Sequence, residues 1–365
     1  MNDLSQAKAS RVTAVAARGP LTALSELLRT RDMESKVVIF AAYFLAAYSS
    51  FEAQQTSGAV LAFWAPAGIA MAAFLMKGCG IWYLISAAAF AVDLLTTGSA
   101  VGALLMATGQ TVGPLAGALV LERAKRSELF FSPESTCKFV FLSAPILATV
   151  SASIGAAACC LVEFGSKAGF VPLWLNWWRG DFVGAIAVTP LIVLVVAHYD
   201  HAIHTSKSVG LLGLTLTLIF TCIVIFCPTK LVREGHGSIQ FLTLPLLALF
   251  VVRYCPLETA IANFVIAGFT SWSSIHGQGP FSYASAPEFL SGIYVAVISA
   301  TALYLSAAYA SARRNQEAEL FSRLLELARS KSEIADLKLQ LQCDQRRTTL
   351  GPASQRPKTN LEVSP

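Results

Sequence analysis

The sequence predicts an all-α protein, a polytopic transmembrane helix bundle of eight to ten spans followed by a cytoplasmic coiled-coil helix. Three observations predict it. Hydrophobic residues make up 55% of the 365 and charged residues only 13%, with a mean hydropathy of +0.59. A soluble domain needs roughly a quarter of its residues charged to coat its surface, so a soluble enzyme of this size is excluded. The apolar residues fall in long runs separated by short polar stretches, and the charge concentrates at the two ends. Near the C-terminus, leucine-type residues recur every seven positions in an otherwise charged stretch.

Taken in order, residues 1–36 are polar and basic, with no apolar core before Val37. They read as a cytoplasmic N-tail rather than a cleavable signal. Lipid leaves backbone groups unsatisfied, so a span needs about 20 mostly apolar helical residues. Ten stretches are candidates: 37–52, 59–76, 81–97, 100–121, 138–162, 181–198, 209–227, 239–252, 257–275 and 288–311. The first and eighth are short, and without that pair eight spans remain. With the N-tail inside, its six basic residues lie on the cytoplasmic side with Lys77, Arg123, Lys125, Arg126, Lys138, Lys207, Arg253, Arg313 and Arg314. Only Lys167, Arg179, Lys230 and Arg233 fall outside. The positive-inside rule therefore predicts two cytoplasmic termini. The membrane part spans 37–311.

From Arg313 the chain becomes a charged helix, 312–343. Leu320, Leu327, Ile334 and Leu341 occupy the d positions of four heptads, and Leu324 sits at a between Glu317, Lys331 and Lys338. Leucine at d with polar residues at some a positions suits a parallel dimer. The other reading is a lone amphipathic helix on the bilayer, but the basic residues do not gather on one face. The segment 344–365 reads as disordered.

Ionisable residues inside lipid are functional candidates. Asp93 is the one acid well inside an expected span, about 6 Å from its outer end. It could bind a cation, a proton or a polar ligand, or simply hydrogen-bond between helices. The segment Trp174-Leu175-Asn176-Trp177-Trp178-Arg179-Gly180-Asp181 stands at the outer mouth of the sixth expected span. Its tryptophans suit an aromatic belt, Asp181 suits a helix N-cap, and Arg179 could pair with Asp181 or Asp93. Phe63-Trp64-Ala65-Pro66-Ala67-Gly68 marks a kink or break in the second span. His276-Gly277-Gln278-Gly279-Pro280-Phe281 is an outer turn before the last span. All four map to the external half, and together they predict one outward-facing pocket bounded by the second, third, sixth and ninth-to-tenth segments.

Other patterns are weaker. His198, His201, His204 and Asp200 have a spacing compatible with a metal, but a membrane-edge loop accounts for them. The eight cysteines form no C-x-x-C pair, and Cys159-Cys160 reads as packing. No P-loop, G-x-S-x-G, H-E-x-x-H, kinase glycine box, G-G-D-E-F or E-A-L signature is present. The roughly fifty residues after the last span are too few for those catalytic domains. No enzyme activity, cofactor, metal or nucleic-acid partner is expected.

These residues resemble a known family, the bacterial membrane-associated sensor domain of the first class (the MASE group). Its marks include a W-P-P-A-G-like step, here Trp64-Ala65-Pro66-Ala67-Gly68, and a G-N-T-like step, here Gly109-Gln110-Thr111. The most specific is W-W-x-G-D-x-x-G, here Trp177-Trp178-Arg179-Gly180-Asp181-Phe182-Val183-Gly184, followed by Pro190. A late G-x-G-P-F step, Gly277-Gln278-Gly279-Pro280-Phe281, precedes the last span and a basic exit at Arg313-Arg314. The resemblance covers about 37–314. Such domains usually precede a PAS, histidine-kinase or cyclic-di-GMP module, and this chain departs from that pattern after the coiled coil. The resemblance implies a sensory role in the bacterial inner membrane. The residues expected to sense or couple are Trp64, Pro66, Gly68, Asp93, Gln110, Trp177–Asp181 and Gly279–Phe281. A homodimer would form through the coiled coil, and a cytoplasmic histidine kinase, response regulator or cyclic-di-GMP enzyme would be the partner. The rival reading is a small-solute or ion transporter or channel, for which Asp93 and the broken span would serve. A blander one is a remnant of a longer sensor.

Overall fold

The computed structural model describes residues 33–57, 61–122, 128–162, 169–202, 208–227, 239–282 and 286–349. Among these there is no strand. The helices are α1 (Met33–Ser57), α2 (Ala65–Lys77), α3 (Trp82–Thr97), α4 (Ala100–Val120), a short α5 (Pro133–Lys138), α6 (Ala144–Leu161), α7 (Phe170–Ala202), α8 (Ser208–Phe226), α9 (Thr243–Arg253), α10 (Pro256–Ile275) and α11 (Pro287–Thr349). All ten expected spans coincide with helices. Seven of those helical stretches are long and apolar enough to cross a membrane, while Ala65–Lys77 and Ile239–Arg253 are shorter apolar helices. The protein is a multi-pass membrane protein. Most of the N-tail, the loop cations from Arg123 to Arg126, Lys167, Lys207, Lys230, Arg233, the side chains of the His198–His204 stretch and the tail from residue 350 lie outside the described residues.

Two compact units are distinguished, residues 1–311 and 312–365. In the first, close backbone approach organises the packing. Without water between helices, van der Waals fit and interhelical hydrogen bonds replace hydrophobic collapse, and small residues let backbones meet. Gly109, Gly113 and Gly117 lie one turn apart on α4, and a Cβ on any of them would press on the α6 strip at Ile154–Gly155, Leu147–Ser151 or Ser143–Leu147. The Ser143 hydroxyl donates to the Gly117 carbonyl at 2.6 Å, sealing the lower end of that contact. Between α5 and α6 the chain makes a π-turn, Phe139–Ser143. Pro145 stands two residues beyond it and donates no backbone N–H to the ladder.

The helix α2 is too short to cross alone. Its 13 residues rise about 20 Å, against a hydrocarbon core of about 30 Å. Leu61–Trp64 precede it without helical structure, so the expected kink is instead a helix start. Trp64 is the extended N-cap residue and Pro66 stands in the first turn, where its missing N–H costs nothing. Non-helical backbone at membrane depth must be satisfied by protein or line a cavity. Here the Trp64 N–H donates to the Gly180 carbonyl at 2.8 Å.

The second unit carries the charged part of α11. Leu320 (60% exposed), Leu324, Leu327, Ile334 and Leu341 all face outward in the single chain, as do Phe321, Leu325 and Leu337. The Glu319–Arg323 pair, one helical turn apart, is solvent-exposed.

Candidate functional site

Helix α7 builds the site, and it corrects one expectation at once. It begins at Phe170 rather than near residue 181, so Asp181 is no N-cap. Asp181 lies eleven residues into the helix, about 16 Å along its axis, roughly half the hydrocarbon thickness. Along this helix Trp177, Gly180, Asp181, Gly184 and Val188 share one face, at the i, i+3, i+4, i+7 and i+11 positions. The Trp177 ring lies over Gly155 of α6. Gly184 has no room for a side chain, because a Cβ would enter the Trp64 carbonyl, and Gly68 is equally closed by Gly184 and Val188. The Thr189 hydroxyl donates to the Gly68 carbonyl at 3.1 Å. Glycines on both partners thus seat the start of α2 against α7.

A cavity of about 280 Å³ opens where these elements meet. Phe51 and Gln54 from the last turns of α1, and Asp93, Thr96 and Thr97 from the end of α3, form one side. Leu61, Phe63 and Trp64 form another. Met106 and Gln110 of α4, Cys159 of α6, and Leu173, Asn176, Trp177, Gly180 and Asp181 of α7 complete it. The C-terminal ends of α1, α3 and α6 and the N-terminal parts of α4 and α7 therefore converge at one end of the bundle.

The two carboxylates in the wall are held differently. The Gln110 amide nitrogen donates to both Asp93 oxygens, at 2.9 and 3.2 Å. Tyr43 of α1 in turn donates to the Gln110 carbonyl oxygen at 2.7 Å. This three-residue relay ties α1, α4 and α3 together and fixes the amide orientation. Asp181 is 1% exposed, and neither of its oxygens has a hydrogen-bond partner. The Ser151 hydroxyl and the Trp177 indole are the donors that face it. A buried carboxylate left in this way is costly.

Arg179 turns the other way. It is 6% exposed, and its side chain lies across Gly292 in α11, filling the space a Cβ there would take. Its Nε and Nη2 have no hydrogen-bond partner, and Glu288, in the first turn of α11, is the carboxylate whose charge reaches it. The expected pairing of Arg179 with Asp181 or Asp93 is absent among the described residues. Trp178 also leaves the cavity. Its indole donates to Thr149 at 3.1 Å, and it stacks on Phe182 with centroids 5.0 Å apart.

The expected single pocket is thereby divided. Trp64, Asp93, Gln110, Trp177, Gly180 and Asp181 come together, with Pro66 and Gly68 packed just behind them. Gly279, Pro280 and Phe281 do not line this cavity. Gly279 takes a positive φ of 79° in its turn, close to Ser273 and the Phe226 carbonyl. Phe281 packs on Tyr294 of α11 at 5.3 Å, and the Tyr294 hydroxyl donates to the Gln240 carbonyl at 3.0 Å. Sequence reasoning missed Gln54 and Tyr43. Asn176 was legible as a polar residue one position from Trp177, whereas Tyr43 in an apolar run offers no signal. No group of three or more His, Cys, Asp or Glu side chains suited to a metal is found among the described residues.

No curated protein and no solved structure matches this chain significantly. A family model, that of the MASE1 domain, matches residues 35–313. The match covers the whole described bundle, including the α2–α7 contact and the cavity. This chain belongs to the MASE1 family of membrane-associated sensor domains.

Proposed function

We propose that the protein is a signal relay of the bacterial inner membrane, with both termini in the cytoplasm. The cavity reads an external or membrane-borne stimulus, and α11 carries the response to a paired coiled coil. A cytoplasmic histidine kinase, response regulator or cyclic-di-GMP enzyme then reads the coil. One observation carries this reading: two residues of α7 face opposite ways, Asp181 into the cavity and Arg179 onto Gly292 of α11. Whatever alters the charge at Asp181 acts on the helix that also bears on α11. A stimulus shifts the bundle only by its difference in affinity for two arrangements, and couplings of about 1–3 kcal/mol suffice for regulation.

The side assignment follows from charge. With basic termini inside, the cavity end of α1, α3 and α6 faces out. The apolar stripe Leu320, Leu324, Leu327, Ile334 and Leu341 is the dimer seam, occupied by a second copy of this chain.

Mass photometry of the full chain in nanodiscs tests the pairing. The expected result is a dimer that Leu327→Asp converts to monomer while leaving insertion intact. A monomer at all concentrations, or a dimer indifferent to Leu327→Asp, contradicts it. The non-helical backbone at Leu61–Trp64 beside a cavity that holds Asp93 favours transport as the second reading. Uptake of solute or cations into liposomes that is lost in Asp93→Asn would decide for it.

A further inference from the structure

Which chemistry completes the cavity follows from its wall. Two carboxylates face it, and no lysine or arginine lines it among the described residues. Asp93 already receives both Gln110 bonds, whereas Asp181, 1% exposed, has no hydrogen-bond partner among the described residues. The nearest cation in sequence, Arg179, is turned onto α11. No cation among the described residues meets Asp181, and a positively charged group that carries hydrogen-bond donors would satisfy it.

A divalent metal fits poorly. Hard cations take six or more oxygen ligands, and Met106, Leu61, Phe63 and Phe51 occupy much of the surrounding wall. A quaternary ammonium brings charge without N–H donors, and would leave the Asp181 oxygens as they are. A primary ammonium brings three donors. Trp64 and Trp177 supply aromatic surface of the kind that attracts ammonium ions, and the apolar wall accepts a short alkyl stem. At about 30 Å³ per water-sized volume, 280 Å³ holds a molecule on the order of ten heavy atoms.

We infer that the cavity binds a small primary alkylammonium group, its nitrogen on Asp181 and its stem between Trp64 and Trp177. This rests on reading the cavity as the sensory site. The group could arrive on a free amine or on the headgroup of an ethanolamine lipid, and the chemistry at Asp181 is the same for both.

The probe is n-butylammonium chloride, titrated at neutral pH into the full chain in phosphatidylcholine nanodiscs, with tryptophan fluorescence as readout. The expected result is a saturable change that 1-butanol and tetramethylammonium do not produce. Asp181→Asn should weaken it about tenfold or more. Replacing part of the lipid with phosphatidylethanolamine separates the sources: a weaker apparent affinity for butylammonium means that the headgroup competes, and an unchanged one means a free amine. Equal responses to 1-butanol and butylammonium, no saturable response, or unchanged affinity in Asp181→Asn would overturn the inference. The comparison of probes on the unaltered protein needs no variant to fold. Absence of binding with a coiled coil that still responds to Asp181 substitution removes the ligand class alone. Binding without any response in the coiled coil removes the relay instead.

Discussion

Helices α7 and α8 are neighbours in sequence and opposites in structure. The 18-residue core of α8 is the more hydropathic, 2.6 against 1.8, yet only 22% of it is buried against 72% for α7. On α8, Val209, Leu212, Leu216 and Phe220 point away from protein, while Leu218, Cys222, Ile225 and Phe226 pack inward. On α7 protein covers opposite faces, and the buried residues include glycines, Thr189, Arg179 and Asp181. In lipid an apolar side chain gains little by leaving one hydrocarbon for another, so α8 loses little by facing the bilayer. The less apolar helix is kept inside because its small and polar residues have partners only there. Function gathers on the second kind.

Substitutions can break this comparison, and the largest effect should come from volume added to a glycine face. Gly184→Leu drives a side chain into the Trp64 carbonyl, and should cost about 3 kcal/mol or more, read as loss of monodisperse protein and a collapsed melting temperature in detergent. The same change at Gly213 of α8 meets nothing within 4 Å and should leave melting unaltered. Next in size is Asp181→Leu, which removes two unpartnered buried oxygens of similar volume. It should raise thermal stability by about 1–3 kcal/mol while abolishing any response of residues 312–343. Stability sacrificed at a site for function gives that signature. Tyr43→Phe should be smaller and of opposite sign, a loss of about 1 kcal/mol, because it orphans the Gln110 oxygen and loosens the Asp93 relay. Smallest is Phe220→Leu on the exposed face of α8, expected to stay within about 0.5 kcal/mol.

Much of this fold was legible in the sequence because the bilayer imposes one length on every span. Apolar runs alone located ten of the eleven described helices; the polar α5 was not among them. The same criterion misplaced the start of α7, since Asn176, Arg179 and Asp181 interrupt its hydropathy. The spacing of Trp177, Gly180, Asp181 and Gly184 on one helical face was the signal for a helix already under way. Proline at 66 predicts a kink or a break, and sequence alone does not reveal the Trp64–Gly180 backbone bond that seats the helix start there. Cavity membership divided by helix face. Trp177 and Asp181 line the cavity, and Trp178 and Arg179 turn away, although all four stand within five positions. The late Gly279–Phe281 turn belongs to another cluster because it folds onto Tyr294, a long-range contact that no local pattern encodes.

The central claim is that Asp181 and Arg179 make α7 a lever between the cavity and α11. Hydrogen–deuterium exchange across residues 312–343 of the full chain in nanodiscs tests it most directly, comparing the natural protein with Asp181→Asn and Arg179→Met. Both variants are expected to insert normally and to change protection along that helix by fivefold or more, the scale of a coupling of about 1 kcal/mol. Exchange that superimposes on the natural protein in both would contradict the lever, and with it the relay.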